Sequence, residues 1–200
     1  MRLVAESFAW PFKARFSTWL WGCVCVILFP LLFIPLFGYA VAASRSPQPP
    51  RWRIDGRLAV DGFWIAVWLL LTLAPFAIAF VVLAHVLSGV ALVVVFFGLL
   101  FLWGCVALVW LPQAMGAFAA TGESADLFDI AASVRGARRD FSTWNLVVAA
   151  IVTAWAIAVA CAGLLCVGIV PGVFYAILVS AHATTALHRQ NPEGSRLPAG

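Results

Sequence analysis

Residues 62–122 read GFWIAVWLLLTLAPFAIAFVVLAHVLSGVALVVVFFGLLFLWGCVALVWLPQAMGAFAATG, 61 positions without one Asp, Glu, Lys or Arg. A helix that crosses the hydrocarbon core of a bilayer needs about 20 apolar residues. This run holds enough for two crossings. His85, Ser88 and Gly89 break it with polar and flexible residues, which predicts helices over 62–86 and 90–114 joined by a tight, uncharged turn.

The rest of the chain has the same character. A second uncharged run, Phe141 to His188, covers 48 residues and has Gly168 and Pro171 near its middle, which predicts helices over 144–166 and 170–188. A third, Phe16 to Ser44, covers 29 residues and carries Pro30 and Pro35. Overall the 200-residue chain is 64% hydrophobic and 10% charged. Soluble domains are about half apolar and about a quarter charged. So few charges cannot cover so much apolar surface in water, whereas lipid can solvate it. The expected fold class is all-α, a polytopic transmembrane helix bundle with short amphipathic interfacial helices. Residues 1–189 form one integral membrane domain and 190–200 a polar tail.

The charged residues lie between the runs, and their sign sets the topology. Of 12 Lys and Arg, three are N-terminal (Arg2, Lys13, Arg15) and four lie in the Pro-rich loop 45–58 (Arg45, Arg51, Arg53, Arg57). Three more follow in 115–140 (Arg135, Arg138, Arg139), and two in the tail (Arg189, Arg196). The turns near 88 and 168 have none. Basic loops stay in the cytoplasm. If all five apolar segments span, the N-terminal three oppose the other nine. If 16–44 is a proline-broken re-entrant hairpin, all twelve share one face and four spans remain. Both arrangements are open at this level; the second obeys the charge rule throughout and puts both termini in the cytoplasm of a prokaryotic cell membrane. Arg51, Arg53, Arg57, Arg138 and Arg139 are then candidate contacts for anionic lipid head groups. Residues 1–15 alternate charge and aromatics, which suits an interfacial segment rather than a cleaved signal.

Residues 115–140 place Asp126 and Asp129 ahead of Arg135, Arg138 and Arg139, the polarity that complements a helix dipole. Leu127, Phe128, Ile130 and Val134 give that surface helix an apolar side that could lie on lipid. Trp19, Trp52, Trp64, Trp110 and Trp144 fall near predicted membrane edges and are expected to anchor there. Ala150, Ala154, Ala158 and Ala162 form a small-residue ridge that lets a second helix approach closely, from this chain or from another.

Phe-Ser-Thr-Trp occurs at 16–19 and again at 141–144, each time after basic residues. Later in each segment, Pro35, Tyr39, Ala40 and Ser44 match Pro171, Tyr175, Ala176 and Ser180 at identical spacing. A duplicated hairpin, shortened in its first copy, explains the shared order. Chance use of common membrane residues is the competing account.

Reactive constellations are missing from the pattern. No ionisable Asp, Glu, Lys or Arg is expected inside a span, which argues against ion-coupled transport. The chain has no phosphate-binding glycine loop, no metal-ligand pair on one helical face and no nucleophile with a base. Cys23, Cys25, Cys105, Cys161 and Cys166 read as small apolar residues. His85 and His182 read as interfacial or packing residues, with an axial ligand as the sharper alternative. No cofactor and no nucleic acid is expected.

Several short motifs recur in a fixed order: Phe8 with Pro11-Phe12, Pro35 with Gly38-Tyr39, Asp61-Gly62, Thr121-Gly122, and Phe174-Tyr175 with Ala181-His182. In this the chain resembles a family of bacterial and archaeal membrane proteins known as domain of unknown function 4013. The resemblance implies a polytopic fold with amphipathic surface helices and no established activity, so it carries over no catalytic residue. The expectation is a non-enzymatic structural or accessory membrane component, with a lipid bilayer, a protein partner or a second copy as partners. A transporter or permease component built on the hairpin repeat is the alternative. Thr72, Gln113, Asn145 and Thr153 are its scattered polar candidates. A lipid-acting enzyme is third.

Overall fold

Two proline-bearing helices of unusual length dominate the architecture. The computed structural model describes residues 2–46, 48–53, 55–163 and 168–189. Helices α1 (Arg2–Ala9), α2 (Phe16–Ile27), α3 (Phe29–Arg45), α4 (Gly56–Ala84), α5 (Gly89–Thr121), α6 (Ile130–Arg139), α7 (Phe141–Gly163) and α8 (Ile169–Arg189) follow in order. Short 3-10 turns cover Trp10–Lys13 and Ser124–Leu127. No strand occurs among the described residues. The protein is a helical membrane bundle.

Helix α4 has 29 residues and α5 has 33, which at ~1.5 Å per residue makes them roughly 43 and 50 Å long. Both outrun the expected spans at their polar ends, because local caps extend them. The Asp55 carboxylate accepts the Leu58 N–H at 2.8 Å and starts α4 six residues early. Gly122, at φ +79°, closes α5 with its N–H on the Phe118 carbonyl, a left-handed end that a side chain would strain. The break between them falls where the sequence places it, with Gly89 at φ +58°.

The two run antiparallel. Trp68 meets Trp110 edge-on at 5.1 Å, and Phe80 meets Phe96 at 5.4 Å. Their far halves face outward: Val81, Val82, Val86, Val90, Val94, Phe97 and Phe101 are all exposed, as lipid-facing side chains must be in a bundle with no aqueous core rule to obey. Only at their polar ends does the bundle close around them.

Helix α8 is the hub. It packs on α7, α3, α2, α5 and α1, and Phe174, Ala176, Leu178, Val179 and Ala183 are fully buried in it. Helix α7 lies antiparallel on it, since Ala158 stands over Gly172 and Cys161 over Gly168. Helix α3 runs antiparallel to α4 at very close range. A Cβ on Gly38 would run into the Leu58 carbonyl, and one on Gly62 into the Ile34 carbonyl. Only glycine permits that approach.

Three helices among the described residues are long and apolar enough to cross a bilayer: α4, α5 and α7. The expected fourth, α8, has 21 residues, about 31 Å at the helical rise, and Ile169–Thr185 is its described apolar stretch. Segment 16–44 becomes two short helices, broken at Leu28 and kinked again at Leu32, where φ is −113° and ψ 17°. Pro30 explains the break, because a proline here cannot donate into the preceding turn.

The N-terminal segment also differs from expectation. Instead of lying wholly in an interface, α1 packs on α7 and α8. Trp10 is buried and stacks on His182 at 4.9 Å. Phe12 stays exposed. Leu127, expected on lipid, is fully buried in the core, while Phe128 and Ile130 are exposed and Val134 half-buried. The 3-10 turn at Ser124–Leu127 causes this, since it tucks Leu127 against α5 before α6 begins.

Candidate functional site

The polar ends of α3, α4 and α5 meet at one ion pair. Arg45, the last residue of α3, pairs with Asp61 of α4, and its second guanidinium nitrogen lies 3.4 Å from the other carboxylate oxygen. Arg45 Nε donates to the Ala119 carbonyl of α5 at 2.9 Å, and the guanidinium carbon sits 5.7 Å from the Phe118 ring centroid. One side chain thereby ties three helices. Asp61 is only 6% exposed, so this is a buried charge held by a partner. The expected span began at Gly62, with Asp61 just outside it; the helix starts earlier, so Asp61 lies a turn and a half inside α4 and is buried there. The readable signal was position. Opposite charges end two apolar runs on either side of one short loop.

The paired tyrosines have matching bonds. The Tyr39 phenol donates to the Pro50 carbonyl at 2.9 Å, and the Tyr175 phenol donates to the Phe8 carbonyl at 3.0 Å. Each ring also packs on the segment it holds. Tyr39 faces Trp52 at 4.5 Å, and Tyr175 lies 6.4 Å from Phe8 and 5.7 Å from Phe12. Pro35 sits inside α3, half-buried, and Pro171 at the exposed start of α8. Beside Tyr39 lies Phe174, fully buried, edge-on to Trp19 at 5.4 Å and 6.2 Å from the Tyr39 ring. A side chain on Gly22 would clash with its ring. The two tyrosines thus hold separate segments beside α8, Tyr39 in the cluster with Phe174 and Trp19 and Tyr175 with Phe8 and Phe12, which spacing alone does not reveal.

Ala150, Ala154 and Ala158 are fully buried, and they share clusters with Ala183, Ala176 and Val179 of α8. Ala162's side chain lies outside the described residues, as do Cys166 and the tail 190–200. All five edge tryptophans are half-buried. Trp52 stacks on Tyr39 and Trp110 meets Trp68 edge-on, while the Trp19 ring N–H donates to the Pro11 carbonyl at 3.2 Å.

Arg51, Arg53 and Arg57 are exposed in and beside the loop, and Arg138 and Arg139 are exposed at the end of α6. The acids near them are spent on backbone. Asp129 caps α6 through the Ala132 N–H at 2.7 Å, and Asp140 caps α7 through the Thr143 N–H at 3.2 Å. Thr72 bonds back to the Leu69 carbonyl of its own helix, Gln113 packs on Gly136 of α6, and Asn145 and Thr153 are exposed on α7. These four do not converge. His85 is exposed with Nδ1 2.7 Å from the Val81 carbonyl. No group of three or more His, Cys, Asp or Glu capable of holding a metal occurs among the described residues.

No curated protein and no solved structure matches this chain. One family model does, over residues 22–179. That span includes the Gly38–Leu58 and Gly62–Ile34 contacts, the Arg45–Asp61 pair, the Gly122 helix end and the Phe174–Tyr175 cluster; Phe8, Pro11, Phe12 and His182 lie outside it. Since the match covers well over half of the chain, the protein belongs to the family described as protein of unknown function DUF4013.

Proposed function

We propose that this protein is a non-enzymatic structural or accessory component of a prokaryotic cell membrane, with its basic segments and both termini in the cytoplasm. One observation carries the reading: the buried polar side chains serve to hold helices rather than to face a common site. Ser44, Ser133, Thr184 and Thr185 each bond a carbonyl three or four residues back in their own helix, and Asp61 is held by Arg45. A partner is then met at the surface. The exposed arginines 51, 53, 57, 138 and 139 suit anionic head groups, and the outward faces of α4, α5 and α7 suit lipid or another membrane helix.

Segment 16–44 is read as a re-entrant hairpin. Supporting this, α2 has 12 residues and α3 has 17, against the ~20 that a crossing requires. Helices α2 and α3 also pack on each other on either side of the break at Leu28, so the segment folds back on itself. Their packing on α8 and α4 gives the bend protein neighbours rather than lipid. Ala5→Cys and Gln48→Cys, labelled separately from each side of sealed vesicles, should react from the same face. Reaction from opposite faces sinks the hairpin and restores five spans.

The transporter reading draws its support from these same broken helices, which carriers place around their substrates. Mild-detergent purification with mass spectrometry of co-eluting proteins separates the two. A stoichiometric protein partner supports the accessory role. A solitary chain with solute flux in liposomes overturns it.

A further inference from the structure

Two cationic segments far apart in sequence are seated by one side chain. Lys13 and Arg15 stand just before α2, and Arg51 and Arg53 lie in the loop after α3; all four are exposed. The Tyr39 phenol donates to the carbonyl of Pro50, the residue that precedes Arg51. The buried Thr18 side chain lies beside the same phenol where α2 packs on α3, and the Thr18 N–H donates to the Arg15 carbonyl at 2.9 Å. Trp52, between the two loop arginines, stacks on the Tyr39 ring. Trp19 reaches back to the Pro11 carbonyl and packs on Phe174, which packs on Tyr39. Tyr39 thus stands between the segment that carries Arg15 and the loop that carries Arg51.

Beside Lys13 and Arg15 the surface is apolar. Phe12 is 73% exposed, Phe16 83% and Leu20 55%. Cations set beside exposed aromatics suit the boundary between head groups and acyl chains. The acids do little to cancel the charge. Asp55 is the one carboxylate in these two segments, and it caps α4. Asp61 is taken by Arg45, and Glu6 stands exposed on α1, upstream of Trp10–Lys13.

We propose that Lys13, Arg15, Arg51 and Arg53 form one binding site for the phosphate of an anionic phospholipid, whose acyl chains run along Phe12, Phe16 and Leu20. This rests on the membrane reading above and names its lipid. Tyr39 is the positioning residue, because it holds both cationic segments to the same point. The adjoining apolar side chains select lipid over free phosphate.

The test uses the purified full-length chain in mild detergent, titrated with mixed micelles of phosphatidylglycerol or phosphatidylcholine and read by native mass spectrometry. Phosphatidylglycerol is expected to bind and phosphatidylcholine not. At about fivefold per cation near an anionic surface, Arg51→Gln/Arg53→Gln should weaken binding about tenfold or more. Arg138→Gln/Arg139→Gln removes equal charge from α6 and should weaken it far less. Tyr39→Phe keeps every cation yet should lower affinity several-fold, because the segments uncouple. Equal losses in the two double variants mean diffuse charge only and overturn the site. So does full displacement by millimolar inorganic phosphate. A chain that does not partition into membranes would defeat the membrane reading itself. One that does, but binds both lipids alike, defeats only this proposal.

Discussion

Removing Asp61 tests the structure where three helices converge. In Asp61→Ala, the Arg45 guanidinium keeps the Ala119 carbonyl and the Phe118 face but loses its counter-charge. Breaking a buried pair by deleting one partner costs about 3–5 kcal/mol. The Arg45 side chain is 20% exposed, so water recovers part of that, and about 2–3 kcal/mol is expected. Arg45→Ala should cost a similar amount, since it strands the Asp61 carboxylate at 9% side-chain exposure. The double variant Arg45→Met/Asp61→Leu removes both charges and fills the space, so most of the loss should return. Equilibrium unfolding in mixed micelles, read by tryptophan fluorescence, gives all four corners of the cycle. The reasoning is refuted if either single variant stays within about 0.5 kcal/mol of the parent, or if the double variant equals the sum of two alanine losses with no coupling energy.

Three further outcomes follow from close contacts. Gly38→Ala and Gly62→Ala should each destabilise by about 1–3 kcal/mol, because the added carbon meets a backbone carbonyl that cannot step aside. Gly98→Ala and Gly104→Ala, which meet nothing within 4 Å, should be neutral or slightly stabilising in the same unfolding assay. Tyr39→Phe frees the loop from its Pro50 anchor, so trypsin should cut after Arg51 or Arg53 several times faster in micelles; an unchanged rate would mean Trp52 stacking alone holds the loop. Ala158→Leu, at a position 1% exposed beneath Gly172, should force α7 off α8 and lower stability by about 1–3 kcal/mol, whereas Ala160→Leu on the exposed side should not.

Some of these contacts were legible beforehand and some were not. The hairpin of α4 and α5 reads directly off 61 uncharged residues with one polar break, because hydrophobic length is a local property. The polarity of α6 was equally local: Asp129 caps it and Arg138 and Arg139 end it, as the dipole favours. The spacing from proline to tyrosine was visible too, but its use was not. That Tyr39 holds a loop ahead of it in sequence while Tyr175 holds a helix 167 residues behind depends on where α8 comes to lie. Leu127 misled for a related reason. It continues the apolar pattern of α6, yet the preceding 3-10 turn rotates it into the core.

Composition and charge spacing determine that this chain lives in a bilayer, that its helices turn near residues 88 and 168, and that its basic residues gather between apolar runs. These follow from the cost of placing charge or unpaired backbone in hydrocarbon, which each segment meets by itself. Tertiary structure alone decides which helix is central, where segment 16–44 breaks, and that Arg45 and Asp61 meet. Those outcomes depend on glycines at 38 and 62 letting α3 and α4 touch, and on Phe174 filling the space beside Gly22. Shape complementarity between distant segments sets them, and a one-dimensional pattern holds no record of it.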